Sequence, residues 1–233
     1  VPLWKWFWAI CQLSQDKKGI AALTLAKQID VCYATAWLML LKLRRSMRLR
    51  DERYVLQGLV DVDETYVGGE EPGHRGRPGS DSDKKVPVAV ALEMDEHGKP
   101  KRVAMSSVKR VNGHCLRRFA QRVIAKGSTL RTDGWGAYRT VAKAGYEHRS
   151  VITGSGREAV QVFPWIHTFI GNMKRMILGT HHWVSDKHVD EYLAEFSWRT
   201  NRRWLEASLF DRLLIAALDT KAVTCKELTA GAK

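Results

Sequence analysis

The sequence predicts a mixed α/β (α+β) chain in which a helical segment leads into a sheet flanked by helices. Three observations carry this. Apolar residues recur at helical spacing as far as residue 50, the pattern turns strand-like from residue 54, and helix and strand patterns then alternate before the chain becomes helical again.

Residues 3–13 form the first expected helix, "KKG" a break, residues 20–29 a second helix, "DVC" a tight connection, and residues 33–50 a third. A short helix, a turn and a longer helix is the helix-turn-helix arrangement. The third helix ends in Lys42, Arg44, Arg45, Arg48 and Arg50 with no acid among them, a run suited to phosphate. A plain structural bundle has the same spacing.

"YVLQGLVDVDETYVG" reads as a strand, and the loop over residues 69–85, rich in Gly, Pro and charge, has too few apolar residues to pack. Its His74, Arg75 and Arg77 face either DNA or solvent. Strands follow over residues 86–95 and 102–108. Leu116, Phe119, Ala120, Val123 and Ile124 mark one face of a helix over residues 113–126. A strand over 128–134 ends on Asp133, a helix over 135–145 closes at Gly145, and a strand covers 148–153. From Trp165 the chain is mostly helical, with Gly179 as a break. Three strands, then helix, strand, helix, strand and helices, is an order compatible with a ribonuclease H-like fold. The expected division is residues 1–52 as a helix-turn-helix DNA-binding segment, 53–220 as the sheet-bearing domain and 221–233 as a tail.

The chain has 233 residues, with 38 Lys and Arg against 25 Asp and Glu, a formal charge of +13 that favours a polyanionic partner such as nucleic acid. Cys11, Cys32, Cys115 and Cys225 are widely spaced, which fits neither a disulfide framework nor a zinc ribbon and suggests a reducing compartment. The apolar N-terminal run is short and interrupted by Lys5, so it reads as a core helix and not as a signal or membrane span. Starting at Val1 within an apolar pattern, it suggests that a segment precedes it. Trp4, Trp6, Trp8 and Trp37 read as core of the N-terminal bundle, and His181, His182 and His188 match no zinc motif.

In "VDVDETYVGG", Asp61 and Asp63 share one face of the strand while Glu64 returns to the valine side. Two such carboxylates need a cation, a basic partner or water. Asp133, at a strand end before Gly134, is placed as an exposed ligand on a rigid scaffold. With Asp63 it suits Mg²⁺, which takes oxygen ligands and keeps open positions, and a two-ion site can act on phosphodiesters. A turn cap at Asp133 and a salt bridge at Asp63 are the plainer readings of each acid alone.

"VDVDETYVGGE", "LRTDGWGAYRTVAKAGYEH" and "PWIHTFIGNMKRMILGTHHWVSDKHVDEYLAEFSWRTNRR", with the leading "PLWKWFWAICQLSQDKKGIAALTLAKQIDV", resemble bacterial insertion-sequence transposases of the ISXO-like group in the DDE superfamily, from about residue 2 to about residue 215. The resemblance implies a ribonuclease H-like catalytic domain that uses Mg²⁺ or Mn²⁺ in a two-metal site to cut element ends and join the freed 3′-hydroxyl to target DNA. It implies element ends and target DNA as partners, a homo-oligomer in the active complex, no membrane, and a cytoplasmic, nucleoid-associated location. The zinc ribbon of many relatives has no counterpart in this chain, so no zinc is expected.

Carried over, Asp63 and Asp133 are the first two acids of the triad. The third position falls on Asn172 when counted from His167, or near His167 itself when aligned on Lys174 and Arg175; Glu195 is a fallback whose plainer role is an ion pair with Arg199. Lys174 and Arg175 are expected to hold DNA phosphates, as are Arg199, Arg202 and Arg203, which with Asn201 form a second cluster that also reads as a solvated helix end. The rival to an active enzyme is a catalytically degenerate or domesticated transposase acting only as a DNA-binding protein. A ribonuclease H-like nuclease fits the acids but has no need of the helix-turn-helix.

Overall fold

The computed structural model describes residues 1–68, 85–151, 162–182 and 184–229. Residues 74, 75 and 77 of the charged loop lie outside these. The elements in chain order are α1 (Leu3–Gln15), α2 (Ala22–Gln28), α3 (Tyr33–Asp51), β1 (Leu59–Gly68), β2 (Lys85–Met94), β3 (Pro100–Ser107), α4 (Gly113–Val123), β4 (Thr129–Asp133), α5 (Arg139–Ala142), β5 (Glu147–Val151), α6 (Pro164–Met176), α7 (Val189–Asn201), α8 (Leu209–Leu218) and α9 (Cys225–Thr229). The helix expected over 135–145 is shorter, a 3₁₀ turn at Gly136–Tyr138 leading into α5. Gly179 lies in a π turn, Ile177–His181, which ends at His182 with φ 57°.

Two compact units divide the chain: residues 54–175 form one, and residues 1–53 with 176–233 form the other. The sequence assigned 176–220 to the sheet-bearing part and 221–233 to a tail. In the structure these residues cluster with the N-terminal helices, and part of the expected tail is the helix α9. The reason is apolar surface: Trp198, Leu213 and Ala216 complete a core with Leu13, Leu25, Met39, Leu40 and Met47.

The sheet unit holds five strands in the order β3-β2-β1-β4-β5. β1, β2 and β3 run antiparallel, while β4 lies parallel to β1 and β5 parallel to β4. This is the ribonuclease H-like topology. Val60 and Val62 of β1, Ala89 and Ala91 of β2 and Leu130 of β4 turn to one face, where Leu116, Phe119 and Ala120 of α4 and Val141 of α5 cover them. Asn112 caps α4 by accepting from Cys115 N at 2.9 Å. A Cβ at Gly113 would stand 2.8 Å from Ala137 O, so α4 meets the Gly136–Tyr138 turn too closely for any other residue.

In the helical unit α3 is enclosed on several sides, with Met39, Leu40, Leu41, Leu43 and Met47 buried along with Arg44. A buried guanidinium needs an anion. Glu195 of α7 supplies it, with Arg44 Nε donating to Oε2 at 2.6 Å and both side chains at most 1% exposed. Arg199 Nη2 donates to Glu195 Oε1 at 3.0 Å. The same guanidinium donates to Asp16 O and Leu13 O, satisfying carbonyls at the end of α1. Gly19, at φ 78°, passes so near Glu195 that a Cβ would fall 2.3 Å from Oε1. His181 lies edge-on to Tyr192, whose ring Arg44 also covers at 4.1 Å.

Several arginines expected to face DNA are therefore committed elsewhere. Arg44 is buried, Arg48 pairs with Glu52 and Glu191, and Arg199 ties α7 to α1. Arg202 is buried against Asp51, 2.6 Å away, and stacks over Trp198 at 3.4 Å. Each is held by an acid or carbonyl remote in sequence, invisible to local spacing. Arg50 pairs with Asp219, and Arg45 is half-buried. Lys42 is half-buried beside an apolar pocket. Arg203 donates to Thr200 O at 2.9 Å and lies 5.3 Å from the Trp204 ring.

Candidate active site

The face of the sheet opposite α4 carries the odd-numbered residues of β1 and β4. Asp61 and Arg131 are direct partners in the parallel ladder, and their side chains close a bidentate pair, Nε to Oδ1 at 2.7 Å and Nη2 to Oδ2 at 2.9 Å. Asp61 is 1% exposed. The Arg131 guanidinium answers its charge, with its Cζ 5.2 Å from the Phe163 ring; the Asp61 contact in turn raises the Arg131 pKa. Two residues further along each strand, on the same face and with the same offset of 70 residues as the Asp61–Arg131 pair, stand Asp63 and Asp133.

Asp63 is partly open. Its Oδ1 accepts from Glu64 N at 2.8 Å, and its Oδ2 stands 3.6 Å from His167 Nδ1. Asp133 Oδ1 accepts from Trp135 N at 3.1 Å, which fixes the carboxylate at the start of the turn after β4. Glu64 turns to the other face and accepts from Tyr138 Oη at 2.6 Å, in keeping with strand alternation.

Helix α6 brings the third group. His167 and Lys174 are seven residues apart, two helical turns, and so lie on one side of α6. The Lys174 side chain reaches the surface, yet its pKa is lowered by the protein atoms around it; the Asp63 charge opposes that shift and Lys85 adds to it. Lys85, the first residue of β2, therefore belongs to the same neighbourhood. Asn172 stands about 140° round the helix from His167. It is exposed, and its Oδ1 accepts from Arg175 Nη2 at 2.5 Å. Glu195 lies in the helical unit, fully enclosed between Arg44 and Arg199. Of the three candidates for the third position, His167 is the one in contact with Asp63.

Sequence reasoning missed Arg131, Lys85 and Tyr138. Arg131 had a legible signal, since it precedes Asp133 by the two residues that separate Asp61 from Asp63. Lys85 and Tyr138 had none, because what they approach is set by tertiary packing. Among the described residues no group of three or more His, Cys, Asp and Glu side chains is drawn together as a metal cluster.

Residues 55–201 match the model of the ISXO2-like transposase domain. No curated protein matches the sequence. Among solved structures, the chain is similar to one in the simian T-cell lymphotropic virus intasome in complex with the PP2A regulatory subunit B56 gamma. Identity there is 11%, with 62% of this chain and 48% of that chain covered and a TM-score of 0.40, so this chain spans about half that protein's length. It is also similar to the Mos1 strand transfer complex, at 14% identity, 90% and 75% coverage and a TM-score of 0.34. A third likeness is to the Mos1 mariner paired end complex with Mn, at 15% identity, 86% and 74% coverage and a TM-score of 0.33. The segment matched by the family model takes in the whole sheet with Asp63, Asp133 and His167 and more than half of the residues, and on that match the chain belongs to the ISXO2-like transposases.

Proposed function

We propose that the chain is an active DNA transposase that cuts phosphodiester bonds at the ends of an insertion sequence and joins the freed 3′-hydroxyl to target DNA. The observation that supports this most directly is the placement of Asp63 and Asp133 each two residues beyond the paired Asp61 and Arg131 of adjacent parallel strands, with His167 on Asp63. Asp63, Asp133 and His167 are the proposed metal-holding and catalytic set, with His167 in the place first considered for Asn172.

The residues fit a divalent ion. Both carboxylates are partly open, Asp61 is already neutralised by Arg131, and oxygen ligands suit Mg²⁺ and Mn²⁺. An imidazole in the set favours Mn²⁺, the softer ion. When bound, such ions supply charge stabilisation for the attacking and leaving oxygens. Lys174 and Lys85 hold the phosphate against the acids, and Arg175 extends the cationic rim of α6. DNA ends and target DNA are the proposed partners, with a homo-oligomer bringing two ends together in a nucleoid-associated, cytoplasmic setting. Among the described residues no helix is long and apolar enough to cross a membrane.

The test is joining of a labelled DNA end, taken from the sequence flanking the gene, to a plasmid in Mg²⁺ or Mn²⁺. Joining by the wild type that is lost in Asp63→Asn and Asp133→Asn, with DNA binding kept, is expected. The non-acidic third position favours one rival, a protein that binds DNA without cutting it. Tight binding with no joining in either metal would establish that rival, and joining that survives Asp133→Asn would sink the assignment of the acids.

A further inference from the structure

The positive charge of this chain is unevenly compensated. In the helical unit Arg44, Arg48, Arg50, Arg199 and Arg202 are each matched by a carboxylate. In the sheet unit, no acid occurs between Glu96 and Asp133, a stretch that contains the whole of α4. Leu116, Phe119, Ala120 and Val123 turn α4 onto the sheet, which leaves His114, Arg117, Arg118, Gln121 and Arg122 on an outward arc about 140° wide. Every charge on that arc is positive.

Arg117, Arg118 and Arg122 are exposed, and none has an ion-pair or hydrogen-bond partner among the described residues. Lys126 follows the helix in the same condition. The close approach at Gly113 brings α5 alongside, and its Arg139 and the Lys143 after it are likewise exposed and unpaired. By contrast Arg149, also exposed in this unit, pairs with Glu147. Six exposed cations on and beside α4 and α5, with no counter-charge among the described residues, repel one another, and a polyanion removes that repulsion.

We propose that the outward face of α4 and α5 binds the phosphate backbone of duplex DNA at a second place, separate from the carboxylate site. Asp63 and Asp133 open on the opposite face of the sheet from α4, so a duplex lying on this face is not the segment being cut by the same subunit. Backbone contacts from arginines carry no base preference, so the surface binds element and target sequences alike. This inference rests on the proposed role as a DNA transposase and assigns a further surface within it.

The experiment measures duplex affinity of the full chain against salt, for wild type, Arg117→Ala/Arg118→Ala/Arg122→Ala, and the corresponding triple lysine variant. The probes are an element-end duplex, an unrelated DNA duplex and an RNA duplex of equal length; end joining is scored on the same preparations. The alanine variant is expected to lower the slope of log affinity against log salt by about 3, since each phosphate contact contributes about 0.9. That corresponds to roughly 40-fold less affinity lost between 50 and 200 mM salt, equally for both DNA duplexes. The lysine variant is expected to keep the wild-type slope. An unchanged slope in an alanine variant that still joins ends overturns this surface and leaves the transposase reading intact. Loss in the lysine variant equal to that in the alanine variant also overturns it, because charge would then not be the cause. Preference of the wild type for the RNA duplex overturns DNA as the occupant, and a wild type that neither binds DNA nor joins ends overturns both readings.

Discussion

Replacing Glu195 by Gln keeps the side chain's volume and removes the charge that Arg44 and Arg199 share. Burial alone would raise the Glu195 pKa, but the two guanidiniums and the Arg44 hydrogen bond overcome it and hold the carboxyl at about 2. The gap from the ordinary 4.5 corresponds to about 3 kcal/mol of stability at neutral pH. The mutational loss falls in the same range, ~3–5 kcal/mol, because Arg44 is left buried without its anion. At ~2–4 °C per kcal/mol the variant should melt at least ~6 °C below wild type at pH 7. The folded pKa is depressed, so this contribution is complete above pH 4.5 and is lost as pH falls toward 2. Urea denaturation at a series of pH values measures both effects. Wild type should lose stability steeply in that window and Glu195→Gln should not. Parallel pH curves, or melting within 1 °C at pH 7, would refute the argument. The double variant Arg44→Met/Glu195→Leu, which removes the fully buried pair and leaves Arg199 its carbonyl contacts to Asp16 and Leu13, should recover part of the loss.

His181 belongs to the same buried network, and burial, reinforced by Arg44, lowers its pKa to about 4. It stays neutral in the folded chain, so wild type should also lose stability as pH falls from 6.5 to 4, and His181→Gln should remove that part of the curve. His167→Ala should abolish metal-dependent end joining while Asn172→Ala leaves it within about threefold of wild type, since only the former touches Asp63; joining assays on the two purified variants decide this. Arg131→Met leaves Asp61 buried without its cation and should cost about 3 kcal/mol in urea denaturation. Gly19→Ala sets a methyl group against Glu195 at a left-handed backbone position, and a drop in melting temperature of several degrees is expected in a thermal scan.

The sheet was legible from the strand-like alternation in "VDVDETYVG" and from the short apolar run "VPVAVALEMD", whose residues 88–94 are buried on both faces, and α4 was legible from its apolar stripe. The placing of Asp63 near Asp133 was an expectation from fold analogy, since periodicity does not give strand order; the parallel pairing of β4 with β1 supplies it. The arginines of α3 misled because a helix buried on several sides looks from its sequence like one with a basic face; the deciding partner, Glu195, is 151 residues away. Helix geometry alone separates two of the candidates for the third position. Lys174 is two turns from His167, whereas Asn172 falls on the outer side of the same helix. The shared core of the first and last segments could not be read, because neither segment alone supplies all of the apolar surface that closes it.

That shared core has a consequence for how the protein is made. The ribosome releases α3 with Arg44 already in it, yet Glu195 follows only 151 residues later. At a synthesis rate of ~5–20 residues per second the guanidinium waits roughly 8–30 s for its anion. During that interval the nascent N-terminal helices hold an apolar surface they cannot close, while the sheet, encoded between them and their missing helices, emerges complete. Chaperone capture of nascent chains should therefore peak before α7 leaves the exit tunnel and fall once it has emerged.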